Sequence, residues 1–187
     1  MPTANTSTGK SGAKRASSAS KTKSSARKTS ASATRSNDAI GLLKADHRAV
    51  EKLFGDYEKA KADEGRKQQI AQQICMALKV HTQIEEELFY PTSREFLKDD
   101  DIVNEAVVEH QAAKDLIEQI EALSPSDEMY DAKITVLQEQ IEHHVEEEEK
   151  ELFPQVQKSD MDLKGIGQQL KSRKEELMGG MMAPATH

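Results

Sequence analysis

The chain has 187 residues, of which 32% are charged and 4% are aromatic, and it contains no Trp. This length is sufficient for one domain with an aliphatic core plus tails. The sequence has no apolar run of roughly 18 residues, no apolar leader near its start and only one Cys, which excludes a membrane span, an ordinary secretory signal and a disulfide framework. These features predict a soluble cytoplasmic protein with no membrane partner.

The charge is unevenly divided along the chain. Residues 1–37 contain eight Lys and Arg and no acidic residue, whereas residues 38–187 contain 18 basic and 33 acidic residues, a formal charge of −15. The first segment is rich in Ser, Thr and Ala and predicts a disordered basic arm. Eight positive charges without aromatic residues suit non-specific contact with DNA phosphates. A solubilising tail without a partner explains the arm equally well.

Two long helices are predicted after the arm. The N-cap residues Ser36, Asn37 and Asp38 precede an apolar seam and predict a first helix over 38–62. A break near Gly65 precedes a second helix over 66–90, which we expect Pro91 to end. The inward positions of the first helix are Ile40, Leu43, His47, Val50, Phe54 and Tyr57. Those of the second helix are Ile70, Ile74, Leu78, His81, Glu85 and Leu88.

Two further helices follow with the same pattern. The third is predicted over 101–122, and the fourth over 125–153, from a cap at Ser124-Pro125 to Pro154. Their inward positions are Val103, Ala106, His110, Ala113, Ile117, Ile120, Leu137, Ile141, His144 and Glu148. A short fifth helix is predicted over 161–178, packed across the bundle or outside it. Gly179-Gly180 is predicted to open a loose tail.

The predicted fold class is all-α. Four long helices with short connections indicate an antiparallel up-down-up-down four-helix bundle. The predicted organisation is a disordered basic arm over 1–37, a metal-binding bundle over 38–157, and a C-terminal helix with a loose tail over 158–187.

The bundle repeats itself after 63 residues. This shift places His47 on His110, His81 on His144, Glu85 on Glu148 and Pro91 on Pro154, without a gap. The apolar seam positions follow the same shift. The pattern indicates that the bundle is built from a duplicated two-helix unit.

The repeated polar residues predict a metal site in the bundle core. All four helices carry a His on the inward face, and the second and fourth helices add a Glu one turn later. Two buried carboxylates need compensating positive charge, and no Lys or Arg occupies the seam. A metal supplies that charge. The alternative is a buried network of His–Glu hydrogen bonds.

The ligand types narrow the choice of metal. The absence of thiolates disfavours copper(I) and iron–sulfur clusters, and a structural zinc ion needs only four ligands. Two carboxylates that bridge two ions would give each ion two imidazole nitrogens and two oxygens. This arrangement fits two iron ions better than manganese.

The set of six residues resembles the hemerythrin-like, or HHE cation-binding, family. The matching positions are His47, His81, Glu85, His110, His144 and Glu148. The resemblance covers about residues 38–157 and implies a non-haem di-iron centre. It also implies a small ligand such as dioxygen, nitric oxide or peroxide, and a function in binding or sensing dioxygen, nitric oxide, iron or redox state. A peroxide-decomposing enzyme and a DNA-associated iron or redox protein are the alternatives.

The sequence departs from the oxygen-carrying members of that family. Those carriers have a fifth His one turn after the third-helix His, where this chain has Lys114. Their second acid lies five residues after the fourth-helix His, where this chain has Glu149, with Glu148 at four. These departures weigh against reversible oxygen carriage. His143 is interpreted as a surface residue or as a neighbour that supports a ligand, and Glu86 and Glu149 as part of a solvated acidic face, although an acid from this face could replace a ligand.

Overall fold

The computed structural model describes residues 38–182, and side chains up to residue 180. The predicted basic arm therefore lies outside the described residues. The described part of the chain is helical and contains no strand. Its segments are α1 (Ala39–Ala60), α2 (Glu64–Ile84), π1 (Glu85–Phe89), α3 (Tyr90–Phe96), α4 (Asp101–Glu121), α5 (Tyr130–Glu147), π2 (Glu148–Leu152), α6 (Phe153–Lys158) and α7 (Leu163–Met182). The all-α prediction is confirmed.

Side-chain caps begin the first two helices. The Asp38 carboxylate accepts a hydrogen bond from the Gly41 amide at 2.8 Å, and the Asp63 carboxylate accepts one from the Arg66 amide at 3.0 Å. Each contact pairs an amide that has no partner within the helix. The first helix therefore starts within a residue of its predicted position, and the second starts two residues earlier than predicted.

The core consists of two apolar clusters with a polar layer between them. On α1 the chain passes from Leu43 in one cluster, through His47, to Val50 in the other. On α2 it returns from Leu78, through His81, to Ile84. The same pair of crossings is repeated by α4 and by α5 together with π2. Each helix therefore brings one His to the same level of the bundle.

Pro91 and Pro154 lie inside continuous helical segments, so the prediction that they end their helices was wrong. A turn of π-helix precedes each proline, and the amides of Tyr90 and Phe153 bond to the carbonyls of Glu85 and Glu148, five residues earlier. The wider turn accommodates a residue that has no amide hydrogen and that would clash within a regular α-helix. The helical path therefore runs to residue 96 in the first half and to residue 158 in the second.

Two further predictions about helix boundaries were wrong. The cap at Ser124-Pro125 does not begin the fourth helix, which starts at Tyr130 after a series of turns. Gly179-Gly180 does not open a tail, because α7 continues to Met182. This last helix packs against α1, α2 and π1. None of the helices within residues 38–182 is long and apolar enough to cross a membrane.

Candidate metal centre

The polar layer brings the six predicted residues together. They are His47 on α1, His81 on α2, Glu85 at the start of π1, His110 on α4, His144 on α5 and Glu148 at the start of π2. All six are buried, with exposed fractions of 4% or less. Ligand atoms of His47, His81, Glu85 and Glu148 lie within 4.8 Å of one another, and so do those of Glu85, His110 and His144.

Each carboxylate lies between one His of each half of the chain. Glu85 Oε2 is 3.2 Å from His81 Nε2 and 3.5 Å from His110 Nε2. Glu148 Oε2 is 3.3 Å from His47 Nε2 and 3.7 Å from His144 Nε2. The 63-residue shift exchanges the first pair of contacts for the second. The two acids therefore occupy equivalent positions between two pairs of imidazoles.

Further carboxylates surround the centre, one facing the Nδ1 atom of each His. Glu149 Oε1 lies 3.0 Å from Nδ1 of His47, and Glu86 Oε1 lies 3.0 Å from Nδ1 of His110. Glu109 Oε2 lies 2.8 Å from Nδ1 of His144. The fourth pair is longer, because Asp46 Oδ2 lies 3.8 Å from Nδ1 of His81. The same shift relates Asp46 to Glu109 and Glu86 to Glu149.

These contacts determine the direction of the imidazole lone pairs. The pKa of the Glu86 and Glu109 carboxyls lies below the ordinary value, chiefly because His110 and His144 donate hydrogen bonds to them. An ionised carboxylate only accepts, so each Nδ1 in the three close pairs carries a hydrogen, and Nε2 presents a lone pair whenever the ring is neutral. Carboxylate partners commonly orient metal-binding His side chains in this way.

The Nε2 atoms face one another across the centre. The distance is 3.2 Å between the Nε2 atoms of His47 and His81, and 3.0 Å between those of His110 and His144. Burial lowers the pKa of His81 to about 4, which leaves this ring neutral near pH 7. Lone pairs at this separation repel each other unless a cation lies between them. The arrangement therefore fits two cations, one for each pair of imidazoles.

Protein groups compensate the two central carboxylates only in part. Both oxygens of Glu85 and Oε2 of Glu148 are buried without a hydrogen-bond partner. Burial raises the pKa of the Glu85 carboxyl well above its ordinary range, and the neighbouring Glu148 raises it further. Buried carboxylates without a counter-charge are costly, so this pair requires a proton or a metal cation. A donor set of imidazole nitrogens and carboxylate oxygens suits iron or manganese.

A tyrosine in the centre distinguishes the two halves of the chain. The buried Tyr90 hydroxyl donates to Glu148 Oε1 at 3.0 Å and lies 3.2 Å from His110 Nε2. Burial and the charges of Glu85 and Glu148 raise its pKa well above the ordinary value, so the hydroxyl keeps its proton. The equivalent residue in the other half is Phe153, whose ring stacks on His47 with 5.8 Å between centroids. No signal in the sequence marked this role of Tyr90.

Two cavities adjoin the imidazoles. A cavity of about 10 Å³ touches all four imidazoles of the centre and is otherwise lined mainly by apolar side chains. This volume is at the lower limit for one water-sized molecule. A surface cavity of about 390 Å³ shares His47, Ile141 and Val145 with it. The cavity that touches all four imidazoles therefore has room only for a molecule about the size of water.

Three neighbours of the centre have roles that the sequence did not show. Glu86 and Glu149, interpreted as part of a solvated face, are partly buried and pair with His110 and His47. Lys114 donates to both oxygens of Glu86, at 2.7 and 2.6 Å. The residue at the fifth-His position therefore acts on His110 through Glu86. His143 is 64% exposed and lies outside the centre.

Comparison with known proteins identifies the family. The model of the hemerythrin HHE cation-binding domain matches residues 38–156. The chain belongs to the hemerythrin HHE cation-binding family. A crystal structure of an HHE cation-binding domain-containing protein from Mycobacterium kansasii, an Rv2633c homologue, has a TM-score of 0.67. The two sequences are 22% identical, and the match covers 76% of this chain and 88% of the Mycobacterium kansasii protein. The likeness shows a common fold. The family relationship makes this HHE domain a metal-binding one.

A second relative is larger than this chain. A protein named DNA nickase from Nostoc sp. (strain PCC 7120) is 33% identical over 112 residues. The match includes 60% of this chain and 31% of that protein. The chain therefore spans about a third of the length of this relative.

Proposed function

We propose that this HHE domain is a non-haem di-iron protein that binds or senses a small ligand, such as dioxygen or nitric oxide. The proposal rests on one observation. The Nε2 atoms of four imidazoles face one another in two pairs, and two buried carboxylates lie between these pairs. His47 and His81 would hold one iron, His110 and His144 the other, and Glu85 and Glu148 would contact both. Iron supplies one-electron redox chemistry and affinity for small ligands when it is bound.

The surrounding residues have three tasks in this proposal. Glu149, Glu86 and Glu109 orient three imidazoles so that Nε2 points into the centre. The two apolar clusters exclude bulk water from the layer between them. Tyr90 holds a proton directed at Glu148 Oε1. A centre of this kind admits small ligands and keeps one hydrogen-bond donor beside them.

Metal analysis of the purified protein, with optical spectra in air and after anaerobic reduction, tests the proposal. We expect about two irons per chain, as a doubly bridged pair requires. Glu85→Ala and Glu148→Ala should each lose more than one iron, because each acid is proposed to contact both. His143→Ala is the control and should retain both irons. A Glu148→Ala protein with two irons and an unchanged spectrum would contradict the bridging role.

Peroxide decomposition is the second candidate function. It is favoured by the Tyr90 hydroxyl, a hydrogen-bond donor that lies within the centre and is not one of the six proposed ligands. Hydrogen peroxide added to the iron-loaded protein should then release dioxygen. A protein that only binds or senses small ligands should release none.

An association with DNA is a separate candidate that concerns the whole chain. It is supported by the eight positive charges of residues 1–37 and by the relative named DNA nickase, whose match covers only part of that protein. In this reading the arm contacts DNA phosphates without sequence preference. The acidic remainder of the chain holds the metal.

A further inference from the structure

The C-terminal helix α7 lies beyond the part of the chain that the family model matches, yet it packs on the helices that hold the metal centre. Leu170 of α7 is fully buried in the cluster that contains Leu43 and Ile84. A Cβ at Gly167 would lie 2.6 Å from the Ala39 amide nitrogen, so glycine permits the close approach of α7 to α1. The position of α7 is therefore fixed relative to the centre.

Two adjacent basic residues of α7 bind acids on the helices below. Arg173 donates to both carboxylate oxygens of Glu87 on π1, at 2.6 and 3.1 Å. Lys174 donates to Asp46 Oδ1 on α1. The Asp46 side chain is 12% exposed and that of Lys174 is 29% exposed. Because this ion pair is largely shielded from water, it holds the Asp46 side chain more firmly than a surface pair would.

Asp46 is also the acid that faces His81. Its second oxygen, Oδ2, lies 3.8 Å from His81 Nδ1, and both atoms are buried without a hydrogen-bond partner. The three equivalent acid–imidazole distances are 2.8 to 3.0 Å. A movement of about 1 Å would close this fourth contact. It would leave Oδ1 free to keep its bond to Lys174.

We propose that Lys174 is a positioning residue for the metal centre, acting through Asp46 on His81. Lys174 balances the charge of Asp46 and directs Oδ2 towards Nδ1 of His81, which can then donate its hydrogen to Asp46 while Nε2 binds an ion. The inference rests on the proposed function, because it requires His81 to be a ligand. Through Lys174, α7 thus supports one of the two ion positions. Metal binding at that position in turn stabilises α7 in its docked position.

Cobalt(II) titration followed by optical spectroscopy tests this role without an activity assay. Lys174→Met should lower the affinity of one of the two ion positions about tenfold and leave the other unchanged, as loss of an outer partner does at other metal sites. Asp46→Asn should weaken the same position. Arg173→Met is the matched control, since it removes a neighbouring anchor of α7 that does not contact Asp46. Equal affinities in the Lys174→Met and Arg173→Met proteins would overturn the inference.

Hydrogen exchange of α7 amides provides the second readout. Cobalt(II) should slow exchange in α7 of the unaltered protein and of Arg173→Met, and this protection should be lost in Lys174→Met. Protection that persists in Lys174→Met would count against the coupling. If the unaltered protein binds no cobalt, the proposed metal centre itself fails. If it binds two ions and Lys174→Met does so with the same affinities, only the positioning role fails.

Discussion

At the scale of single residues, Asp131 joins two buried side chains, Lys67 and Tyr57, the second of which belongs to the apolar cluster that contains Val50. The Tyr57 hydroxyl donates to Asp131 Oδ1 at 2.5 Å, and Lys67 Nζ donates to Oδ2 at 3.3 Å. Tyr57 is fully buried and Lys67 is 5% exposed, whereas 44% of the Asp131 side chain is exposed. A single acid at the surface therefore provides partners for two groups that would be costly to bury alone.

Replacing Asp131 by Asn should lower the free energy of unfolding at pH 7 by about 1–2 kcal/mol, because Tyr57 and Lys67 lose a charged acceptor. Burial acts to raise the Asp131 pKa, but Tyr57 and Lys67 outweigh it and hold the pKa below the ordinary value of 3.8. A carboxyl with a depressed folded pKa stabilises the fold above its unfolded pKa and loses that effect as the pH falls. The difference between the two proteins should therefore shrink below about pH 4.

Urea unfolding at pH 7 and pH 3 measures this effect. Asp115→Asn is a suitable control, because Asp115 is exposed and its carboxylate accepts only from Gln111 among the described contacts. It should change the unfolding free energy by less than about 0.5 kcal/mol. If Asp131→Asn lowers the free energy of unfolding by the same amount at pH 3 as at pH 7, the charge of Asp131 is not the cause.

The six residues of the proposed site could be identified from the sequence, whereas the acids around them could not. The His and Glu residues stood out because they interrupt an apolar seam at helical spacing. Glu86 and Glu149 lie beside that seam, and their partners are on other helices. Which acid reaches which imidazole depends on the rotation and distance of neighbouring helices. The 63-residue shift, applied to Asp46 and Glu86, was the one available signal.

At the scale of elements, the two π-helical turns place the central acids. Each turn begins at an acid of the centre, Glu85 or Glu148, and ends one residue before an aromatic residue that is followed by Pro. Each Pro was predicted to end its helix, because the pattern of a single sequence gives no sign of a widened turn. The apolar seams were confirmed as far as the π turns, because burial follows the helical period. Within π1, Phe89 is fully buried, whereas the predicted Leu88 is only partly buried.

Pro91→Ala should change the free energy of unfolding by less than about 1 kcal/mol, because the π turn already accommodates the missing amide hydrogen. A proline in the interior of a regular helix costs about 3 kcal/mol or more. Gln73→Pro, at an exposed position within α2, is the matched comparison and should show that full cost. Chemical denaturation of the two variants provides the measurement. A gain of about 3 kcal/mol in Pro91→Ala would mean that Pro91 strains the helix.

At the scale of the whole molecule, the chain combines a basic arm with an acidic remainder. The arm lies outside the described residues, and its eight positive charges precede a segment with a formal charge of −15. The sequence predicts a disordered arm, and a random coil of this length extends roughly 30–35 Å on average. Electrostatic interactions are screened within about 10 Å at 0.1 M salt. The arm would thus act independently of the acidic bundle.

The full chain should retard DNA in a gel at about 50 mM salt and lose this effect near physiological salt, because release of counterions drives the contact. A chain that begins at residue 38 should not retard DNA under either condition, and its iron content should equal that of the full chain. Equal retardation of both proteins, or of neither at about 50 mM salt, would exclude the arm from DNA binding.

The two halves of the chain exchange contacts in the metal centre. His47 of the first half pairs with Glu149 of the second, and Glu86 of the first half pairs with His110 of the second. One two-helix unit docked on an identical copy about a two-fold axis would produce both contacts at once. Within one chain, these contacts have the arrangement of a symmetric homodimer interface. Covalent linkage of the halves is what allows Tyr90 to differ from Phe153, a difference that identical subunits could not have.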